Sequence, residues 1–147
     1  MKTTNIYINF DGNCEEAFNL YKSVLGGDFS FVGKFKDMPP QEGMPPMSEE
    51  MGNKIMHIAL PVSKETQLMG SDVGDIYSPT FSKGNNYSIF LNTESENESD
   101  RIFDGLSQGG RVSMPLALTF WGDYFGAPED KFGVNWMISY SKGQEHQ

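Results

Sequence analysis

Cysteine occurs once in this sequence, at Cys14, so no disulfide can form within the chain and a reducing compartment is expected. Basic residues are scarce. Only 11 Lys and Arg stand against 20 Asp and Glu, giving a formal net charge of −9. A surface of that sign repels nucleic-acid phosphates and anionic lipid headgroups, so neither is expected as a partner. No apolar run approaches the roughly 20 residues of a membrane span. Met1 to Asn5 leads straight into a strand-like segment without the basic-then-apolar pattern of a signal peptide. The cytoplasm is therefore the expected location. No P-loop or CxxC is present, nor a Ser/His/Asp arrangement that can be placed.

What is present suits one folded domain. The chain has 147 residues, 37% of them hydrophobic and 13% aromatic, enough for a sizeable core. Ile6 to Phe10 reads as a buried strand. Glu15 to Leu25 carries Phe18, Tyr21, Val24 and Leu25 at helical spacing, with Asn13 as N-cap, Glu16 in the capping-box position and Gly26-Gly27 as the stop. Phe29 to Phe35 alternates like a half-buried strand. Met38 to Gly52 holds four prolines and four methionines. Proline excludes a strand or helix interior there, so a long loop is expected, with one helical turn at Ser48 to Met51. Strands resume at Lys54–Val62 and Thr66–Ser71, followed by a loop from Asp72 to Asn86.

The second half repeats the first. Tyr87 to Thr93 reads as a strand, Glu96 to Gln108 as a helix, and Arg111–Phe120, Trp121–Phe125 and Gly133–Tyr140 as three more strands. A shift of 83 positions puts Ile6 on Ile89, Ile8 on Leu91, Asn9 on Asn92 and Gly26-Gly27 on Gly109-Gly110. The order is βαβββ in both halves. The expectation is an α+β fold of two such modules, about residues 4–73 and 85–141, in a single domain spanning 1–147. Their curved, mainly antiparallel sheets would pair around a shared cup.

Particular phrases sharpen this. They are Gly12-Asn13-Cys14-Glu15-Glu16-Ala17-Phe18 with Tyr21-Lys22, Lys54-Ile55-Met56-His57, Leu68-Met69-Gly70-Ser71-Asp72, Met114-Pro115-Leu116, Phe120-Trp121-Gly122 with Phe125-Gly126, and Asp130-Lys131-Phe132-Gly133-Val134-Asn135-Trp136. From about Asn5 to Tyr140 the chain resembles the PhnB-like branch of the vicinal-oxygen-chelate superfamily, which includes glyoxalase I, bleomycin-resistance proteins and extradiol dioxygenases. That branch often carries the label 3-demethylubiquinone 3-methyltransferase. The resemblance implies paired βαβββ modules, a ligand cavity in the cup and a homodimer. It also implies a divalent metal held by His, Glu or Gln at four positions, which fall here on Ile6, Met69, Ser88 and Met137. None of these four is a usual ligand for such an ion, so no metal and no other cofactor is expected.

Anchoring strand register on those four positions puts Ile6, Ile8, Met69, Ser71, Ser88, Phe90, Asn135 and Met137 on the cup side, with His57 and Trp121 at the rim. That surface is largely apolar with a few hydroxyl and amide groups, as an organic-ligand pocket is. His57 reads either as an acid/base or ligand-binding imidazole or as a half-buried, hydrogen-bonded histidine. Asp72, Asp75 and Asp130 read as catalytic carboxylates or, more commonly, as turn formers. Cys14 sits near a helix N-terminus, which lowers a thiol pKa, yet without a paired His or Cys it reads as a passive thiol. Trp121 and Tyr124 suit either a planar ligand or the core, while Trp136 suits the core. Met38, Met44, Met47 and Met51 form either an adaptable lid or a plain surface loop. His146 lies in a polar tail.

The function expected is metal-independent binding of an apolar or aromatic organic molecule. The alternative is an enzyme on a small carbonyl or phenolic substrate, of lyase, isomerase or dioxygenase type, with His57 as acid/base. Methyl transfer is disfavoured, because the glycine pairs follow helices rather than opening them as a nucleotide-type site requires.

Overall fold

The computed structural model describes residues 1–39, 42–43, 46–74 and 78–141. Met44, Asp75 and His146 lie outside the described residues. The chain divides into two compact units, Met1–Ser82 and Lys83–Gln147.

The first unit runs β1 (Ile6–Phe10), α1 (Cys14–Leu25), β2 (Phe31–Lys34), a short helix α2 (Glu49–Gly52), β3 (Ile55–Pro61) and β4 (Gln67–Asp72). Its four-stranded sheet has the order β1-β4-β3-β2. The β1–β4 pair is parallel, and the other two are antiparallel. Helix α1 exists because Cys14, Ala17, Phe18, Tyr21 and Val24 make one apolar stripe, and all five are buried. Phe18 and Tyr21 are wholly buried, and each such side chain stabilises the fold by about 1.5–3 kcal/mol. The helix stops at Gly26, whose N–H donates to the Lys22 carbonyl.

The start of α1 differs from the expected capping box. Asn13 is the N-cap residue, but its side chain makes no capping bond. The cap comes instead from β4. One carboxylate oxygen of Asp72 accepts from the N–H groups of Gly12 and Cys14, at 2.9 and 3.0 Å. The other accepts from the N–H of Ile55 at 2.9 Å. One buried carboxylate thus ties the β1–α1 turn, the start of α1 and β3 to β4, and this is the structural role of Asp72. In the proline-rich loop, Ser48 caps α2 by accepting from the Met51 N–H.

The second unit repeats the pattern with β5 (Ile89–Asn92), α3 (Glu96–Ser107), β6 (Arg111–Leu118), β7 (Asp123–Glu129) and β8 (Trp136–Ser141), in the sheet order β5-β8-β7-β6. Here too one pair, β5–β8, is parallel. The fold is α+β, βαβββ twice, with two mixed sheets. Ser95 caps α3 by accepting from the Glu98 N–H, and the Glu98 carboxylate accepts from the Glu94 N–H.

One local reading, the strand from Trp121 to Phe125, needs correction. Trp121 is not in a strand: the N–H of Thr119 donates to the Asp123 carbonyl and that of Gly122 to the Thr119 carbonyl, which closes a tight turn around it. Strand β7 begins only at Asp123 and continues to Glu129. Asp130 is buried, accepts from the N–H groups of Phe132 and Val134, and takes the Trp136 indole N–H at 2.9 Å. It is a turn former, and Trp136 is core.

Candidate functional site

Cross-strand pairing fixes which side chains share a face. In the first unit Ile6 pairs with Leu68, Ile8 with Gly70 and Phe10 with Asp72, while Tyr7 pairs with Met69 and Asn9 with Ser71. Gly70 marks the helix side, since a Cβ there would lie 2.7 Å from the Phe18 ring of α1. Ile6 and Ile8 therefore belong to the helix side, not to the face that carries Met69 and Ser71. Their expected placement on that face was off by one residue, because the anchor came from sequence alignment rather than from β1 itself. Alternation then gives Tyr7 and Asn9 to the face turned away from α1.

On β3, Ala59 pairs with Met69, which puts His57 on the same side. On β2, Phe31 pairs with Ala59 and Gly33 with His57. The resulting constellation is Tyr7, Phe31, His57 and Met69, flanked by Asn9 and Ser71. The Tyr7 and His57 rings stack with centroids 5.7 Å apart and planes 23° from parallel. Phe31 lies against the other partner, its ring centroid 5.6 Å from that of His57. The Tyr7 hydroxyl is 3.4 Å from His57 Nδ1. Gly33 makes room for this arrangement: a Cβ there would lie 2.8 Å from Phe31 Cε1. Tyr7 and Phe31 remain about half exposed, at 48% and 49%. Ser71 donates a long hydrogen bond to Asn9. At the end of the same sheet, Thr3, Asn5, Ser30, Pro61 and Gln67 line part of an open depression of about 410 Å³ that does not include His57.

In the second unit the corresponding cross-strand pair is Phe90 with Met137. Phe125 shares their face, since it pairs with Ser139, the alternate neighbour of Met137 on β8. The Trp121 ring lies 6.2 Å from Phe125 and 4.9 Å from Phe120, and its indole N–H donates to Asp123. Ser88 sits just before β5, outside the pairing. Asn135 precedes β8, where its side chain reaches the Gly84 carbonyl. Tyr124 is on the helix side, with its hydroxyl donating to Asp100 of α3.

The structure thus groups His57, Met69 and Ser71 in one unit and Phe90, Met137 and, by way of Phe125, Trp121 in the other. Sequence reasoning missed Tyr7, Phe31 and Asn9. The plain alternation of Ile6-Tyr7-Ile8-Asn9 carried the signal, since the two isoleucines suit the buried side. Cys14 is fully buried, and burial first, then the charges of Asp72 and Glu15, push its thiol pKa well above the ordinary value. Reactivity from the helix dipole does not survive that setting.

A family model described as 3-demethylubiquinone-9 3-methyltransferase matches residues 2–139. The chain belongs to that family. Protein YjdN of Escherichia coli (strain K12) is 30% identical over 148 residues, spanning 96% of this chain and 97% of YjdN. The crystal structure of protein PA1353 from Pseudomonas aeruginosa superposes with a TM-score of 0.81 at 37% identity, covering 95% of this chain and 97% of that one. A glyoxalase-related enzyme from Fulvimarina pelagi shares the fold alone, with a TM-score of 0.60 at 16% identity over 95% and 88% of the two chains. The chain thus has a glyoxalase/bleomycin-resistance-like fold.

The resemblance seen in the sequence implies a divalent metal, and the donor chemistry of the residues present tests it. The partners of Met69 and Met137 across the parallel pairs are Tyr7 and Phe90, not Ile6 and Ser88. Neither the thioether and phenol of the first unit nor the thioether and phenyl ring of the second supplies donors for a hard or borderline divalent ion. Among the described residues, no group of three His, Cys, Asp or Glu comes together. The residues do not fit the metal. No helix among the described residues is long and apolar enough to cross a membrane.

Proposed function

We propose that this chain is a metal-independent small-molecule-binding protein, a homodimer of the cytoplasm, whose ligand is an apolar or aromatic organic molecule. The observation that carries the reading is the imidazole of His57 in ring contact with the half-exposed Tyr7 and Phe31, on the face that carries Met69. Aromatic faces and a thioether supply apolar contact area with little conformational entropy to lose, and one polar group fixes orientation.

The family's methyltransferase description is not taken as the activity. A nucleotide-type cofactor needs free N–H groups where a strand turns into a helix. At α1 the Asp72 carboxylate already occupies those of Gly12 and Cys14.

The test is a titration with indole followed by NMR. Shifts confined to the surroundings of Tyr7, Phe31, His57 and Met69, and lost in Phe31→Ala, are the expected result. An absence of shifts there overturns the proposal. A second reading, catalysis on a small carbonyl or phenolic substrate with His57 as acid/base, draws on the Tyr7–His57 contact. Turnover that survives a chelator and is lost in His57→Ala would select it.

A further inference from the structure

Resting on the reading of the His57 face as a ligand site, we propose that Tyr7 is a positioning residue that presents His57 as a hydrogen-bond donor, so that the site selects planar rings bearing an acceptor oxygen. The argument begins with Nδ1. It faces the Tyr7 hydroxyl at 3.4 Å, and no other hydrogen bond reaches the imidazole among the described residues. One of the two groups must donate. A phenol O–H is the stronger donor of the pair, and an unprotonated imidazole nitrogen is the stronger acceptor. The proton therefore sits on the Tyr7 oxygen, and neutral His57 carries its own proton on Nε2.

That tautomer decides what the site can recognise. Nε2–H donates to a carbonyl, carboxylate or phenolate oxygen and cannot accept a proton while neutral. The stacked Tyr7 ring and the Phe31 ring hold the imidazole plane, so the donor points in a fixed direction. Asn9 and Ser71, the next pair along β1 and β4, add an amide and a hydroxyl on the same side. The selected class is a flat aromatic ring carrying one acceptor oxygen.

The experiment has two arms on the full chain. Nitrogen NMR of the histidine side chains reads the tautomer: His57 protonated on Nε2 in the wild type, with a shift toward a mixture in Tyr7→Phe. Binding is then measured for acetophenone and for α-methylstyrene, in which a methylene replaces the carbonyl oxygen. Tyr7→Phe should weaken acetophenone about three- to tenfold, the range for one hydrogen bond, and leave α-methylstyrene within about twofold. An Nδ1-protonated His57 in the wild type overturns the positioning role. Equal losses for both probes overturn the selectivity. Failure of the wild type to bind either probe overturns the binding reading itself, while the tautomer arm still decides the part played by Tyr7.

Discussion

At the scale of single residues, Asp72 and Asp130 do structural work, and the role of Asp72 can be tested. Asp72 is 3% exposed and accepts three backbone N–H groups from three different segments. Asp72→Ala leaves these donors buried without partners, and a loss on the order of 2–4 kcal/mol in denaturant unfolding is expected. Asp72→Asn retains one acceptor oxygen and should lose less. Tyr124 offers a pH test. Its hydroxyl donates to Asp100, and that hydrogen bond, then partial desolvation, then the charges of Asp100, Glu96 and Asp104, push its pKa up from 10.0 to about 12. The folded state therefore holds the phenolic proton more tightly than the unfolded state. This contribution to stability is fully present below pH 10 and is lost as pH rises through about 12. An ultraviolet-monitored titration should show a tyrosine that ionises near pH 12 in the wild type and is missing in Tyr124→Phe. If that phase persists in the variant, it belongs to another residue.

At the scale of elements, sheet and helix meet where side chains are smallest. A Cβ at Gly70 would lie 2.7 Å from Phe18 Cε1 and 2.8 Å from the Ile8 carbonyl oxygen. The ring can shift a little, but the backbone of the paired strand cannot. Gly70→Ala should therefore cost about 1–3 kcal/mol as an overpacked contact, read as a lower denaturation midpoint at unchanged slope. The same junction shows how much of the fold was legible beforehand. Periodicity gave the twofold βαβββ order and the α1 stripe, and a helical turn at Ser48 to Met51 was also legible, because these depend on neighbours in sequence. The cap of α1 was not legible, since its donors and acceptor lie about 60 residues apart. The site was half legible. Met69, Ser71, Phe90 and Met137 follow from alternation along their own strands, but the partners of Met69 and Met137 depend on a register that a one-residue slip inverts. Ile6 and Ile8 were assigned to the wrong side for that reason, and Tyr7 was overlooked.

At the scale of the whole molecule, the donor chemistry and the surface set two expectations. Protein purified without added metal should carry no stoichiometric zinc, nickel, iron or manganese by elemental analysis. A tightly held equivalent bound near Tyr7 and Met69 would contradict the donor argument. The second expectation is self-association. The second unit leaves Phe120 97%, Leu118 60%, Phe90 52% and Trp121 50% exposed, and large apolar side chains of this kind are what an association surface buries. A homodimer is expected in sedimentation at tens of micromolar. Each chain carries a net charge of −9, so two chains repel at long range while apolar contacts draw them together. Salt screens the first effect, with a Debye length of about 10 Å at 0.1 M, and spares the second. Association should therefore tighten as salt rises, and Phe120→Glu should weaken it. A monomer at every salt concentration would refute the dimer, and weakening with added salt would assign the contact to ion pairs instead of these apolar side chains.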